Sequence, residues 1–213
     1  MTIQFKAQTL YLHPCKAIYW KEKSILFLAD LHLGKAAHFR KKGLAAPSEI
    51  SDTNFRHLEI LLDEFAPERV LFLGDLFHSQ LNNIWQKFAA FLTDYPHIQF
   101  ELVEGNHDIL PKASYTNAEL IVHKEGLIVP PFILSHYPLG VIPAELYNLY
   151  GHVHPGVLLH GFGKQQSKFP CFHFGKTQAV LPAFGAFTGL ALVQPKKGDR
   201  VFVIAEEEVI EVS

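Results

Sequence analysis

Two stretches of this chain repeat apolar residues at the period of a helix. Between Ser48 and Phe65 the residues Phe55, Leu58, Leu61, Leu62 and Phe65 recur at helical spacing, bracketed by Pro47 and Pro67. Leu81 to Leu92 does the same through Leu81, Ile84, Trp85, Phe88 and Leu92. Both predict amphipathic helices with one face turned to a core. Elsewhere the apolar residues come in short runs ended by polar residues, Gly or Pro, which is how buried strands read. Up to about Trp20 the pattern predicts short strands broken at His13-Pro14. Runs at Ile25–Ala29, Val70–Leu73 and Phe100–Val103 are separated by the two helices, an order that predicts a parallel sheet with right-handed crossovers. After Gly126 no helical period is evident. Leu127–Val129, Phe132–Leu134, Tyr147–Tyr150, Phe172–Phe174, Gln178–Leu181, Leu190–Val193 and Val201–Ala205 predict a second, mostly antiparallel sheet packed on the first. The expected fold class is α/β, a two-sheet sandwich with helices outside, in one domain over residues 1–213.

The residues that end these runs carry the chemistry. Ile25–Ala29 leads into Asp30-Leu31-His32, Val70–Leu73 into Gly74-Asp75, and Phe100–Val103 into Gly105-Asn106-His107-Asp108. Phe132–Leu134 leads into Ser135-His136, and Tyr147–Tyr150 into Gly151-His152-Val153-His154. A strand that stops at a turn projects its last residues over the C-terminal edge of its sheet, where open α/β sheets bind ligands. Asp30, His32, Asp75, Asn106, His136, His152 and His154 offer carboxylate, imidazole and amide oxygen. That donor set suits Mn, Fe, Zn or similar divalent ions better than Ca or Cu(I). A lone His on an apolar run is ordinarily a packed core residue. The same strand-then-ligand grammar repeated in five blocks points instead to two metal ions. Ions held roughly 3.5–4 Å apart need an anionic bridge, and Asp75, central in chain order and at the end of a buried run, is the natural one. A hydroxide between such ions forms near neutral pH and is a nucleophile.

Composition narrows the setting. The chain is 48% hydrophobic and 19% charged with a net charge of −2, the profile of a globular protein. No apolar stretch approaches the ~20 residues that span a bilayer, and no signal peptide pattern opens the sequence. Cys15 and Cys171 are too few for a disulfide scaffold, so a reducing cytoplasm is the expected compartment and Cys171 reads as a small buried hydrophobe. The charges are unevenly spread. No acidic residue lies between Glu145 and Asp199, a span holding Lys164, Lys168, Lys176, Lys196 and Lys197, while Lys35, Arg40, Lys41 and Lys42 follow the first metal block. That loop reads either as a phosphate clamp, with Arg40 gripping in a bidentate way, or as a solvated face. His38 and His78 read as substrate contacts at the mouth of the site or as surface residues. Phe184 and Phe187 could stack on a base, though core packing of a turn is the stronger reading.

The order Asp-x-His, Gly-Asp, Gly-Asn-His-Asp, His and Gly-His-x-His, running from Asp30 to His154, resembles the calcineurin-like metallophosphoesterase superfamily. The resemblance implies a sandwich of two mixed sheets flanked by helices and phosphoester substrates. It implies Asp30, His32 and His154 on one ion, Asn106, His136 and His152 on the other, and Asp75 between them. His107 would then be the general acid for the leaving oxygen, or a donor to the developing charge, and Asp108 would orient its ring. His78 stands where many members carry Asp or Arg, so their substrate contacts there do not carry over. Three stretches are similar to the bacterial ligase-associated DNA damage response phosphoesterase group. They are Asp30-Leu31-His32-Leu33-Gly34-Lys35-Ala36-Ala37-His38-Phe39-Arg40, Gly151-His152-Val153-His154-Pro155-Gly156 and Leu181 to Gly189. That implies nucleic-acid phosphodiesters as substrates and association with a DNA ligase and helicase. The competing expectations are a phosphodiesterase or pyrophosphatase of small nucleotides, and a non-catalytic scaffold, which would tend to have lost ligands that are all present here.

Overall fold

The computed structural model describes residues 1–35, 50–78, 82–161, 165–186 and 188–213. A first sheet takes its strands in chain order: β1 (Thr2–Phe5), β2 (Gln8–His13), β3 (Ala17–Trp20), β4 (Ile25–Leu28), β5 (Arg69–Leu73), β6 (Gln99–Val103) and β7 (Ile121–His123). β1 to β4 are antiparallel neighbours, and β4 to β7 are parallel. The parallel part is reached through helices α1 (Ile50–Phe65) and α2 (Asn83–Thr93), the two that the periodicity predicts, and a short polar helix α3 (Lys112–Asn117) that it does not.

Alternation along the strands explains both of their packed faces. Leu26, Leu28, Val70, Phe72, Phe100 and Leu102 point to one side and pack with Leu58, Leu61 and Leu62 of α1 and with Trp85, Phe88 and Leu92 of α2. Ile25, Phe27, Leu71, Leu73 and Val103 point to the other side and meet the second sheet. Strands buried on both faces read as unbroken apolar runs, and this is why they were visible in the sequence.

The second sheet comprises β8 (Leu127–Val129), β9 (Phe132–Ser135), β10 (Tyr147–Tyr150), β11 (Pro155–His160), β12 (Gln166–Phe174), β13 (Gln178–Val180), β14 (Ala191–Leu192), β15 (Arg200–Ala205) and β16 (Glu208–Glu211). Most of its pairs are antiparallel, but β9, β10 and β13 run parallel at its centre and the edge strand β14 is parallel to β11, so it is mixed. Phe132, Leu134, Tyr147, Leu149, Phe172, Phe174 and Phe202 face the first sheet. Among the described residues the helices pack on the first sheet only; the outer face of the second carries Val157, Cys171, Val201 and Val203. Cys171 is wholly buried there, and burial pushes its thiol up to about 12, an inert small hydrophobe as expected. None of the described helices is long and apolar enough to cross a membrane.

Candidate metal centre

Where β4, β5 and β10 end, the chain turns through a conformation that L-residues seldom adopt. Asp30, His32, Asp75, His152 and His154 have φ of 54°, 47°, 50°, 66° and 53°. Such residues outside glycine cluster at functional sites, because the surrounding structure must hold them there. The holding is visible in the backbone. Asp30 N–H donates to Gly74 O (3.2 Å), His32 N–H to Asp75 O (2.9 Å), and Leu33 N–H to Leu76 O (3.0 Å), which extends the β4–β5 ladder past the strand ends. The glycines of the blocks answer to close approach. A Cβ on Gly74 would occupy the place of the His136 imidazole, and one on Gly151 would lie 2.6 Å from Asp30 Oδ2.

These turns bring together two groups, Asp30 with His32 and His154, and Asp75 with His136 and His152, each with ligand atoms within 4.8 Å of one another. His32 Nε2 lies 3.2 Å from His154 Nε2, and His136 Nε2 lies 3.2 Å from His152 Nδ1. Asn106 joins the second group through Oδ1, 3.3 Å from His136 Nε2. The buried Asp30 Oδ1 has no hydrogen-bond partner, although a buried carboxylate oxygen ordinarily finds one. Facing imidazole nitrogens around buried carboxylates, with an orphaned oxygen among them, fit cations of the predicted kind. Burial favours the neutral form of His32 and His152. Burial, helped by Lys35 and the neighbouring histidines, pushes His32 down to about 2. His136 Nδ1 sits 3.0 Å from Leu73 O and so carries the proton, leaving the Nε2 lone pair toward the cluster.

The family model for calcineurin-like phosphoesterases matches residues 23–204. The chain belongs to that family. With two groups of residues that could hold a metal ion, membership makes it a metal-dependent phosphoesterase. Among solved structures it is similar end to end to the nuclease MPE of Pseudomonas putida, with 28% identity, 100% of this chain and 99% of that one covered, and a TM-score of 0.85. It is also similar to the phosphoesterase YfcE of E. coli, at 15% identity over 88% of this chain and 97% of that one, with a TM-score of 0.47. Among curated proteins none matches significantly.

Around this metallophosphoesterase site the remaining expected residues fall into place unevenly. The half-exposed His107 has Nε2 4.0 Å from Asp75 Oδ2, and its backbone N–H donates to Asp75 Oδ1 (2.9 Å). Asp108 takes a different part from the one expected. Its Oδ1 accepts from the backbone N–H of Leu76 (2.9 Å) and Phe77 (3.2 Å), and its Oδ2 from that of Gly105 (2.8 Å). It braces two ligand-bearing loops against each other instead of orienting the His107 ring. Burial lifts its carboxyl to about 7 even against those bonds. The rings of His78 and His32 are what lie against His107, with centroids at 4.3 and 5.5 Å. Lys35 is half-buried near the metal groups: burial lowers its pKa, while the charges of Asp75 and Asp30 oppose the shift. Arg40, His38, Lys41, Lys42, Lys164 and Phe187 lie outside the described residues. Phe184 is core, 1% exposed.

Two residues escaped the sequence reading. Tyr137, directly after His136, donates its hydroxyl to Asn106 Oδ1 (2.9 Å). Asn54, buried in α1, donates to Leu31 O (3.4 Å) and accepts from Ala186 N–H (3.2 Å), tying the helix to the first metal block and to the segment after β13. Adjacency to a candidate ligand was the only available signal for Tyr137. A polar residue inside an amphipathic helix gives none.

Proposed function

We propose that this chain is a phosphodiesterase of nucleic acid working with two divalent ions, Mn before Fe or Zn. The observation that carries the two-ion reading is the placement of Asp75. Its Oδ1 lies 3.4 Å from His136 Nε2 and its Oδ2 3.7 Å from His32 Nε2, so one carboxylate presents an oxygen to each group. What the ions supply when bound is Lewis acidity toward a phosphoryl oxygen and a water made nucleophilic at neutral pH. The chain does the rest. Asp30 and Asp75 provide buried carboxylate oxygens, and the imidazoles provide nitrogen donors, that of His136 oriented by its bond to Leu73 O. His107, anchored through its N–H and open to solvent on one side, is placed to give its Nε2 proton to the departing oxygen.

The nucleic-acid part rests on the end-to-end similarity to a nuclease and on the acid-free run from residue 146 to 198. Labelled circular and linear single-stranded DNA, incubated with the protein and Mn²⁺, test it. The expected result is cleavage of both, and loss of the circle identifies an endonuclease because a circle has no ends. Intact DNA beside hydrolysed small nucleotides would favour the small-substrate reading.

A further inference from the structure

Of the described Phe, Tyr and Trp residues only Tyr137 is exposed, at 43%, and it stands beside the metal groups. An exposed aromatic ring forfeits the burial, full or partial, that stabilises the other described Phe, Tyr and Trp rings. Its pose is nevertheless fixed. The ring lies 4.7 Å from His136 and 4.6 Å from His152, centroid to centroid, and the hydroxyl is bonded to Asn106. Ile109, on the loop that carries Asn106 to Asp108, is 68% exposed, and Val141, beyond Tyr137, is 90% exposed. On this side the site is therefore bordered by an aromatic ring packed on two imidazoles and hydrogen-bonded to Asn106, while the carboxylates of Asp30 and Asp75 are buried.

We infer that Tyr137 is a stacking platform for the base of a nucleotide whose phosphate sits at the metal groups. This rests on the nucleic-acid reading above and adds a base subsite to it. Phosphates carry charge but no flat apolar surface, whereas every base has a π-face, so a ring at this place recognises bases without regard to sequence. Because the ring is held by His136, His152 and Asn106 before any ligand arrives, stacking costs little ordering entropy.

The test compares KM for cleavage, with Mn²⁺ bound, of an oligothymidylate and of an abasic oligomer with the same number of phosphates. Phosphate contacts are equal in the two, so their ratio isolates the bases. Stacking of one base is worth roughly 5- to 150-fold in affinity, and the wild-type ratio should fall in that range. Tyr137→Leu should bring the ratio near one. Tyr137→Phe, which keeps the ring and loses the bond to Asn106, should keep most of it. If Tyr137→Leu retains the wild-type ratio, or Tyr137→Phe loses it as fully as Tyr137→Leu, the ring is not the platform. If the wild type cuts both oligomers with one KM, the nucleic-acid reading stands and the platform falls. If it cuts neither oligomer yet hydrolyses a small aryl phosphodiester, the nucleic-acid reading itself falls and takes the platform with it.

Discussion

His154 is half-buried at φ 53°, and four further candidate ligands share that left-handed backbone. The conformation costs an L-residue roughly 1–2 kcal/mol, a strain that ligand function would have to justify. Without metal, then, His154→Gly should be more stable than His154→Ala by about 1 kcal/mol, because only glycine adopts that backbone freely. Both variants should bind metal more weakly than the wild type. Thermal unfolding in a chelator, paired with metal titration, reads both quantities, and an alanine variant as stable as the glycine one would remove the strain argument. His107 calls for the opposite pattern: His107→Ala should keep its metals and lose turnover on DNA by roughly 10²–10⁴-fold. The loss should shrink on an activated aryl phosphodiester, whose leaving oxygen hardly needs a proton. An equal loss on both substrates would leave His107 with charge stabilisation only.

Three parallel strands are tied through one buried carboxylate. Glu101 on β6, 2% exposed, accepts from Arg69 Nε on β5 at 2.6 Å, from Gln99 Nε2 at 2.8 Å, and pairs with His123 Nε2 on β7 at 2.7 Å. Burial alone would raise its pKa, but the bonds to Arg69, His123 and Gln99 outweigh it and hold the carboxyl below the usual range. A depressed folded pKa stabilises fully above the unfolded value and is lost as pH falls through the folded one. Glu101→Gln should therefore cost about 2 kcal/mol near neutrality. The gap to wild type should close in acid, below roughly pH 4. A gap constant through that window would mean that the ion pair contributes nothing beyond packing.

At the same scale lies the line between what could and could not be read from the sequence. Strands with two packed faces, such as Ile25–Leu28 and Arg69–Leu73, announced themselves as apolar runs, and α1 and α2 by their period. Ile121–His123 and Glu208–Glu211 form at sheet margins and bury none of their own residues, so no pattern is required of them. The hairpin of β11 and β12 is similar: it begins at Pro155-Gly156 and pairs exposed residues such as His160 and Gln166, beyond the core that would impose alternation. The residues gathered at the candidate metal centre were legible because they terminate apolar runs. The partners of Asp108 on the other loop were not, because the Leu76 and Phe77 N–H groups are backbone donors 32 and 31 residues away.

No single sheet contains the whole site. Asp30, Asp75 and Asn106 follow strands of the first sheet, and His136, His152 and His154 follow strands of the second, so the site is assembled only when the sandwich closes. Asp75 is the residue on which that assembly converges, and counting bound metal tests the account most directly. The wild-type protein should bind two divalent ions per chain, measured by calorimetric titration and by metal analysis after gel filtration. Asp75→Asn should weaken both sites together, whereas Asn106→Ala should mainly empty one. A single ion in the wild type, or two sites indifferent to Asp75→Asn, would contradict the bridge.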